Sequence, residues 1–150
     1  MKTLAQALRH LSREEWDEGR AALTELVAAE PHNADAWAYL SGVLIARSDA
    51  AGATDAAERA LTLDPDGFAP NMKAGELALR LGDLPEAERL FVQALRAEEP
   101  GSPGAAAAKR ALVIVRERSR RSITHTSTLP RLRSPLGWLR RKPRAAEGTR

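Results

Sequence analysis

Hydrophobic positions along this chain come in helix-length blocks that stop at prolines. Two phrases show the pattern: "LVAAEPHNADAW" and "LTLDPDGFAPNM". Each runs an apolar helix end into an acidic residue, a proline and a short polar or glycine pair, and then starts a new helix. Read this way, the pattern predicts helices over about residues 2–12, 15–29, 34–47, 52–63, 68–81 and 84–97. Start signals accompany them. Ser12 with Glu15 and Asp83 with Glu86 have capping-box spacing. Asn33 and Ser102 are candidate N-caps, with Pro103 at the first helical position. "PGAAAAKRALVIVRERSRR" then predicts a seventh helix over about 103–121, with Lys109, Arg110, Arg116, Arg118, Arg120 and Arg121 toward water.

The blocks repeat. Pro31 and Pro65 are 34 residues apart, and Pro100 follows 35 later. A fixed period near 34 marks an array of helix hairpins. Residues 34–67 resemble the tetratricopeptide motif: Trp37, Leu40, Ser41 and Leu44 on the first helix, Ala53, Ala57 and Ala60 on the second, and Pro65 at the close. In the next repeat Ala74, Gly75 and Ala78 take the first-helix places, Gly82 the turn, and Ala87, Phe91 and Ala94 the second helix. The opening repeat is degraded, with Thr3, Gln6 and His10 at places that are usually apolar, but it keeps Gly19, Leu23, Leu26 and Pro31. Small residues at facing positions let paired helices approach closely, while Trp37 and Phe91 fill gaps, each stabilising by roughly 1.5–3 kcal/mol when buried. The resemblance implies an all-α, right-handed α-solenoid of three tetratricopeptide (TPR) hairpins, about 1–33, 34–67 and 68–100. A basic helix over 102–121 would cap it, because the last repeat otherwise leaves its apolar face bare.

Composition agrees with helices. Alanine is the commonest residue at 29, whereas Val and Ile together number 8, too few for a sheet protein. The absence of Cys excludes disulfides, thiolate metal sites and Cys nucleophiles. Arg outnumbers Lys 19 to 4, as in a bacterial protein from a GC-rich genome. No window approaches the roughly 18 apolar residues of a membrane span, so the expected location is cytoplasmic, with peripheral contact at a membrane as the alternative. The net charge of +3 hides an asymmetry: residues 1–108 carry −8 and residues 109–150 carry +11. An acidic body with a basic end suggests interaction within the chain or with an anionic partner.

No catalytic or cofactor motif is present. His10, His32 and His125 lie on separate elements without ligand spacing, and there is no phosphate loop or nucleophile elbow. Trp16 reads as a packing residue between hairpins. The reading is a non-catalytic adaptor or scaffold, with no cofactor and no metal. In the family, partners lie on the concave side lined by the first helices. Carried over, the implied groove residues are Leu4, Leu8 and Leu11; Ala38, Tyr39, Gly42 and Ile45; and Met72, Lys73, Glu76, Leu79 and Arg80. This mainly apolar surface suits a peptide or amphipathic helix of a partner protein. The carboxylate clamp of some members is not matched, since Leu4, Leu8, Tyr39 and Ala69 stand at its places and only Lys73 remains.

The last segment, 122–150, is rich in Pro and Arg. Its motif joins Leu132, Leu136, Trp138 and Leu139 to Arg140, Arg141 and Lys142, while Pro130, Pro135 and Pro143 forbid one long helix. Four readings compete for it. It docks on a tetratricopeptide surface of its own or a neighbouring chain; it touches an anionic membrane, each cation adding about 1 kcal/mol; it binds nucleic acid, for which no known fold is present; or it is a solubilising tail with an incidental Trp.

Overall fold

The structure is a computed structural model that describes residues 2–125. It holds α1 (Leu4–Ser12), α2 (Trp16–Ala29), α3 (Ala34–Ala46), α4 (Ala50–Leu63), α5 (Phe68–Arg80), α6 (Leu84–Arg96) and α7 (Pro103–His125), with no strand among the described residues. The helices pair as α1–α2, α3–α4 and α5–α6, and α7 packs on α6. This is the predicted all-α hairpin array. α4 starts two residues before its predicted start, capped by the Asp49 carboxylate on Gly52 N–H, and α7 extends past the predicted Arg121 to His125.

The three turns inside the hairpins are one motif built three times. After α1, Glu15 N–H reaches the His10 carbonyl and Glu14 N–H the Leu11 carbonyl. Asp49 and Ser48 do the same to Leu44 and Ile45, and Asp83 and Gly82 to Ala78 and Leu79. Such a Schellman closure places one residue in the left-handed region. Here those residues are Glu14 (φ 62°), Ser48 (φ 65°) and Gly82 (φ 80°). A side chain there costs roughly 1–2 kcal/mol, against the extra entropy that glycine loses on folding. Ser48→Gly is therefore expected to raise the unfolding free energy by about 0.5–1 kcal/mol in urea denaturation; a lower midpoint would contradict this account of the turn.

That closure also explains a failed expectation. Ser12 does not cap α2: its hydroxyl donates to the Arg9 carbonyl, and Glu15, at the N-cap, makes no side-chain cap bond. The Glu15 carboxylate instead meets His10 Nδ1 at 2.6 Å. The complete capping box is at α1, where Thr3 accepts from Gln6 N–H and Gln6 Oε1 accepts from Thr3 N–H. Two of the three departures in the opening repeat thus serve to start its first helix. Asn33, Asp83 and Ser102 cap as expected, accepting from Ala36, Glu86 and Ala105 N–H.

Between hairpins, equivalent positions reach the same target by different chemistry. Trp37 Nε1 donates to the Pro31 carbonyl at 2.9 Å, and 34 residues on, Asn71 Nδ2 donates to the Pro65 carbonyl at 2.9 Å and to Gly67 at 2.8 Å. Both side chains satisfy a turn carbonyl that has no helical partner. Trp37 is half-buried, packing on two core clusters, with Arg59 stacked 4.7 Å from its ring centroid. Phe91 does fill its gap: it is fully buried, and a Cβ on Gly75 would come within 2.6 Å of its ring. Trp16 departs from expectation, 42% exposed at the start of α2. Trp16 opens α2 directly after the left-handed Glu14 of the α1–α2 turn, and its indole is not among the residues packed on any of the core clusters.

α7 covers the end of the array with Ala105, Ala108, Leu112 and Val115, all buried, and Arg116 pairs with Glu88 of α6 at 2.8 Å. In α3, Leu40 and Ser41 are buried against the second helix of its own hairpin, Ser41 Oγ donating to the Ala53 carbonyl. The equivalent places in α7 are Lys109 and Arg110, both exposed. Charge at the very positions that bury a partner helix in α3 suits α7 to the capping place on the third hairpin.

Candidate functional site

α3 packs beside α5 and α5 beside α7, forming a row of first helices. Most of the implied groove residues lie half-buried on these helices or on α1, which joins the array through α2. Leu4, Leu8 and Leu11 on α1, Tyr39, Gly42 and Ile45 on α3, and Lys73, Glu76 and Leu79 on α5 all keep part of their surface, and Arg80 is exposed. Two do not. Ala38 is fully buried with Ala60 and Ala69, and Met72 belongs to the core that contains Phe91. They sit where α3 and α5 press together, so neither offers surface to a partner. Leu4 and Leu11 also pack on the core beneath them, Leu11 lying across Gly19, which leaves only their outer faces open.

The middle of the row is already furnished. The Lys73 stem lies over Gly42, where a Cβ would come within 3.2 Å of its Cδ. Its ammonium is 2.9 Å from the Glu76 carboxylate and 5.6 Å from the Tyr39 ring centroid. The one cation left from the carboxylate clamp is thus committed to its neighbours.

Sequence reading missed what α7 adds. Helix starts at Ala34, Phe68 and Pro103 put α7 in register with α3 and α5. Ile114 is then the counterpart of Ile45 and Leu79, which with Leu11 makes one aliphatic residue at the same place on every first helix. Ile114 is 48% exposed, and Ala111, the counterpart of Gly42 and Glu76, is half-buried beside the core. The signal was in the spacing, since 114 follows 79 by the same 35 residues that separate Pro100 from Pro65. The tail motif of Leu132, Leu136, Trp138, Leu139, Arg140, Arg141 and Lys142 lies outside the described residues. Among the described residues, no helix is long and apolar enough to cross a membrane.

The comparisons agree with this architecture. The tetratricopeptide repeat family model matches residues 4–68 and 72–121, so the chain belongs to the tetratricopeptide repeat family. Among curated proteins no sequence matches it. Of solved structures, PcrH in complex with the chaperone binding region of PopD is similar at 22% identity and a TM-score of 0.63, covering 77% of this chain and 89% of that one. The Sgt2 TPR domain from Aspergillus fumigatus is similar at 19% identity and 0.67, covering 85% and 82%. The type III secretion translocator chaperone SycD of Yersinia enterocolitica is similar at 14% identity and 0.64, covering 77% and 82%. At these identities the likeness is one of fold.

Proposed function

We propose that this protein is a non-catalytic adaptor that holds a peptide or helix of a partner protein along the concave face made by its first helices. The observation that carries the reading is the aliphatic residue repeated on every first helix, Leu11, Ile45, Leu79 and Ile114, each with surface left open. A ligand with apolar side chains at matching intervals would bury that stripe, each fully buried aliphatic stabilising by about 1.5–3 kcal/mol. PcrH, of similar fold, is seen with the chaperone binding region of PopD, an arrangement consistent with a partner segment held by such an array. The Lys73–Glu76 pair in the middle of the row gives one fixed polar point, which sets register for a ligand that brings a polar backbone group opposite it.

A photo-cross-linking residue placed at Leu79 in the full chain should capture a discrete partner in cells of the source organism. The same residue at Arg20, exposed on the second helix of the first hairpin, should not. Equal capture at both places would remove the concave face from the reading.

A further inference from the structure

On the edge where first helices begin lies an open depression of about 590 Å³ between the first inter-repeat turn and α4. Pro31 and Trp37 form one side; Leu63, 37% exposed, closes the end of α4. Asp55 and Glu58 stand on its rim. Arg59 is close enough in sequence to neutralise Asp55, yet its guanidinium lies over the Trp37 ring. Neither carboxylate has an ion-pair partner among the described residues. The feature is not a by-product of the repeat. One repeat later, Trp37, Asp55 and Glu58 become Asn71, Arg89 and Val92; one repeat earlier they are Thr3, Ala21 and Thr24.

We propose that this depression receives the basic Leu/Trp segment, residues 132–142, of a second copy of the chain. Charge distinguishes it from the concave face. The first helices α1, α3 and α5 carry Arg9, Lys73 and Arg80 against Asp35 and Glu76, so they do not attract a cationic segment. The turns at this edge hold Glu30, Asp64 and Asp66 and no Lys or Arg, and Arg59, which lines the depression, is held over the Trp37 ring. Residues 132–142 carry four cations, Arg133, Arg140, Arg141 and Lys142, around Leu136, Trp138 and Leu139. Apolar anchors with flanking cations match a depression that joins Pro31, Trp37 and Leu63 to two unpaired carboxylates, Trp138 packing on the apolar side chains and arginine lying against Asp55 and Glu58.

Reach favours a neighbour's segment over the chain's own. α7 follows directly on an inter-repeat turn, so it starts at this same edge and runs away from it for about 33 Å at 1.5 Å per residue. α3 lies two helix spacings to the side, roughly 20 Å. The 13 residues from His125 to Trp138 would have to return about 39 Å, most of the roughly 43–47 Å that a fully extended chain of that length spans. The chain's own segment would have to be held nearly fully extended, at a cost in conformational entropy, whereas two copies can exchange segments about a twofold axis, closing the assembly as a dimer.

This inference is independent of the concave face and is tested without a partner. Sedimentation velocity on the full chain at low salt is expected to show a dimer that dissociates as salt rises. Asp55→Asn/Glu58→Gln, which leaves the core untouched, and Trp138→Ala should each be at least about tenfold weaker in self-association. A mixture of the two variants retains one intact depression and one intact segment, and should recover a dimer that neither forms alone. A wild-type chain that stays monomeric to about 100 µM, or a dimer that both variants leave intact, overturns the proposal.

Discussion

Replacing Phe91 with Ala is expected to cost about 3–5 kcal/mol, the usual loss for a fully buried aromatic. Phe91 is fully buried among Leu77, Ala78, Leu90 and Val115, so it ties α5, α6 and the α7 cap together. Gly75 is the other half of that contact, because a Cβ there would lie 2.6 Å from one ring carbon of Phe91 and 2.7 Å from another. The ring sits in a closed core and has no room to retreat, so Gly75→Ala should itself cost about 1–3 kcal/mol by overpacking. The double variant is the sharper measurement. With the ring gone, the added methyl enters the space it left, and the combined loss should fall short of the sum by about 1–2 kcal/mol. Strict additivity would show that Gly75 is required for something other than clearance for Phe91. Stability in such arrays is nearly a sum over neighbouring repeats, and Trp16 and Trp37 both lie in the first two hairpins. In a Trp138→Phe background, Phe91→Ala should therefore lower the midpoint seen by far-UV circular dichroism more than the midpoint seen by Trp fluorescence.

The period of 34 made the hairpins legible because it is written in the residues that packing restricts most: prolines at turn ends and small residues at helix contacts. Helix bounds followed from it within two residues, except at α7, where nothing in the apolar pattern marks an end. Caps were less legible. Thr3–Gln6 and Ser12–Glu15 have the same spacing, and only the first is a cap, because the left-handed Glu14 takes the chain out of the geometry that Ser12 would need. A local motif could not reveal a turn fixed by backbone bonds to His10 and Leu11. Of the groove, the family pattern supplied positions but not exposure. Whether Ala38 faces a partner or Ala60 and Ala69 depends on how closely α4 and α5 approach, which is a property of the assembled repeats. The i,i+3 spacing of Lys73 and Glu76 is visible in α5 alone, but the placing of the ammonium over Tyr39 joins two helices and has no signature in either.

Ile114 offers the cleanest test of the concave face, because binding and folding separate there. Leu79 packs on the core from below, so Leu79→Asp buries part of a carboxylate without a partner and should cost stability as well as affinity. Ile114 is 48% exposed and lies outside the core, so Ile114→Asp should move the melting temperature little. If a ligand spans the stripe from Leu11 to Ile114, Ile114→Asp removes about 1.5–3 kcal/mol of apolar burial and adds the cost of desolvating a carboxylate. The expected result is a loss of partner affinity of at least about tenfold at unchanged stability, measured by titration calorimetry with the captured partner segment. Unchanged affinity would confine the ligand to the first three helices of the row and leave α7 as a cap alone. Replacing Ile114 with Leu discriminates further: it keeps the burial and should keep the affinity within about threefold, so a loss with Asp and none with Leu assigns the effect to apolar contact rather than to the shape of α7.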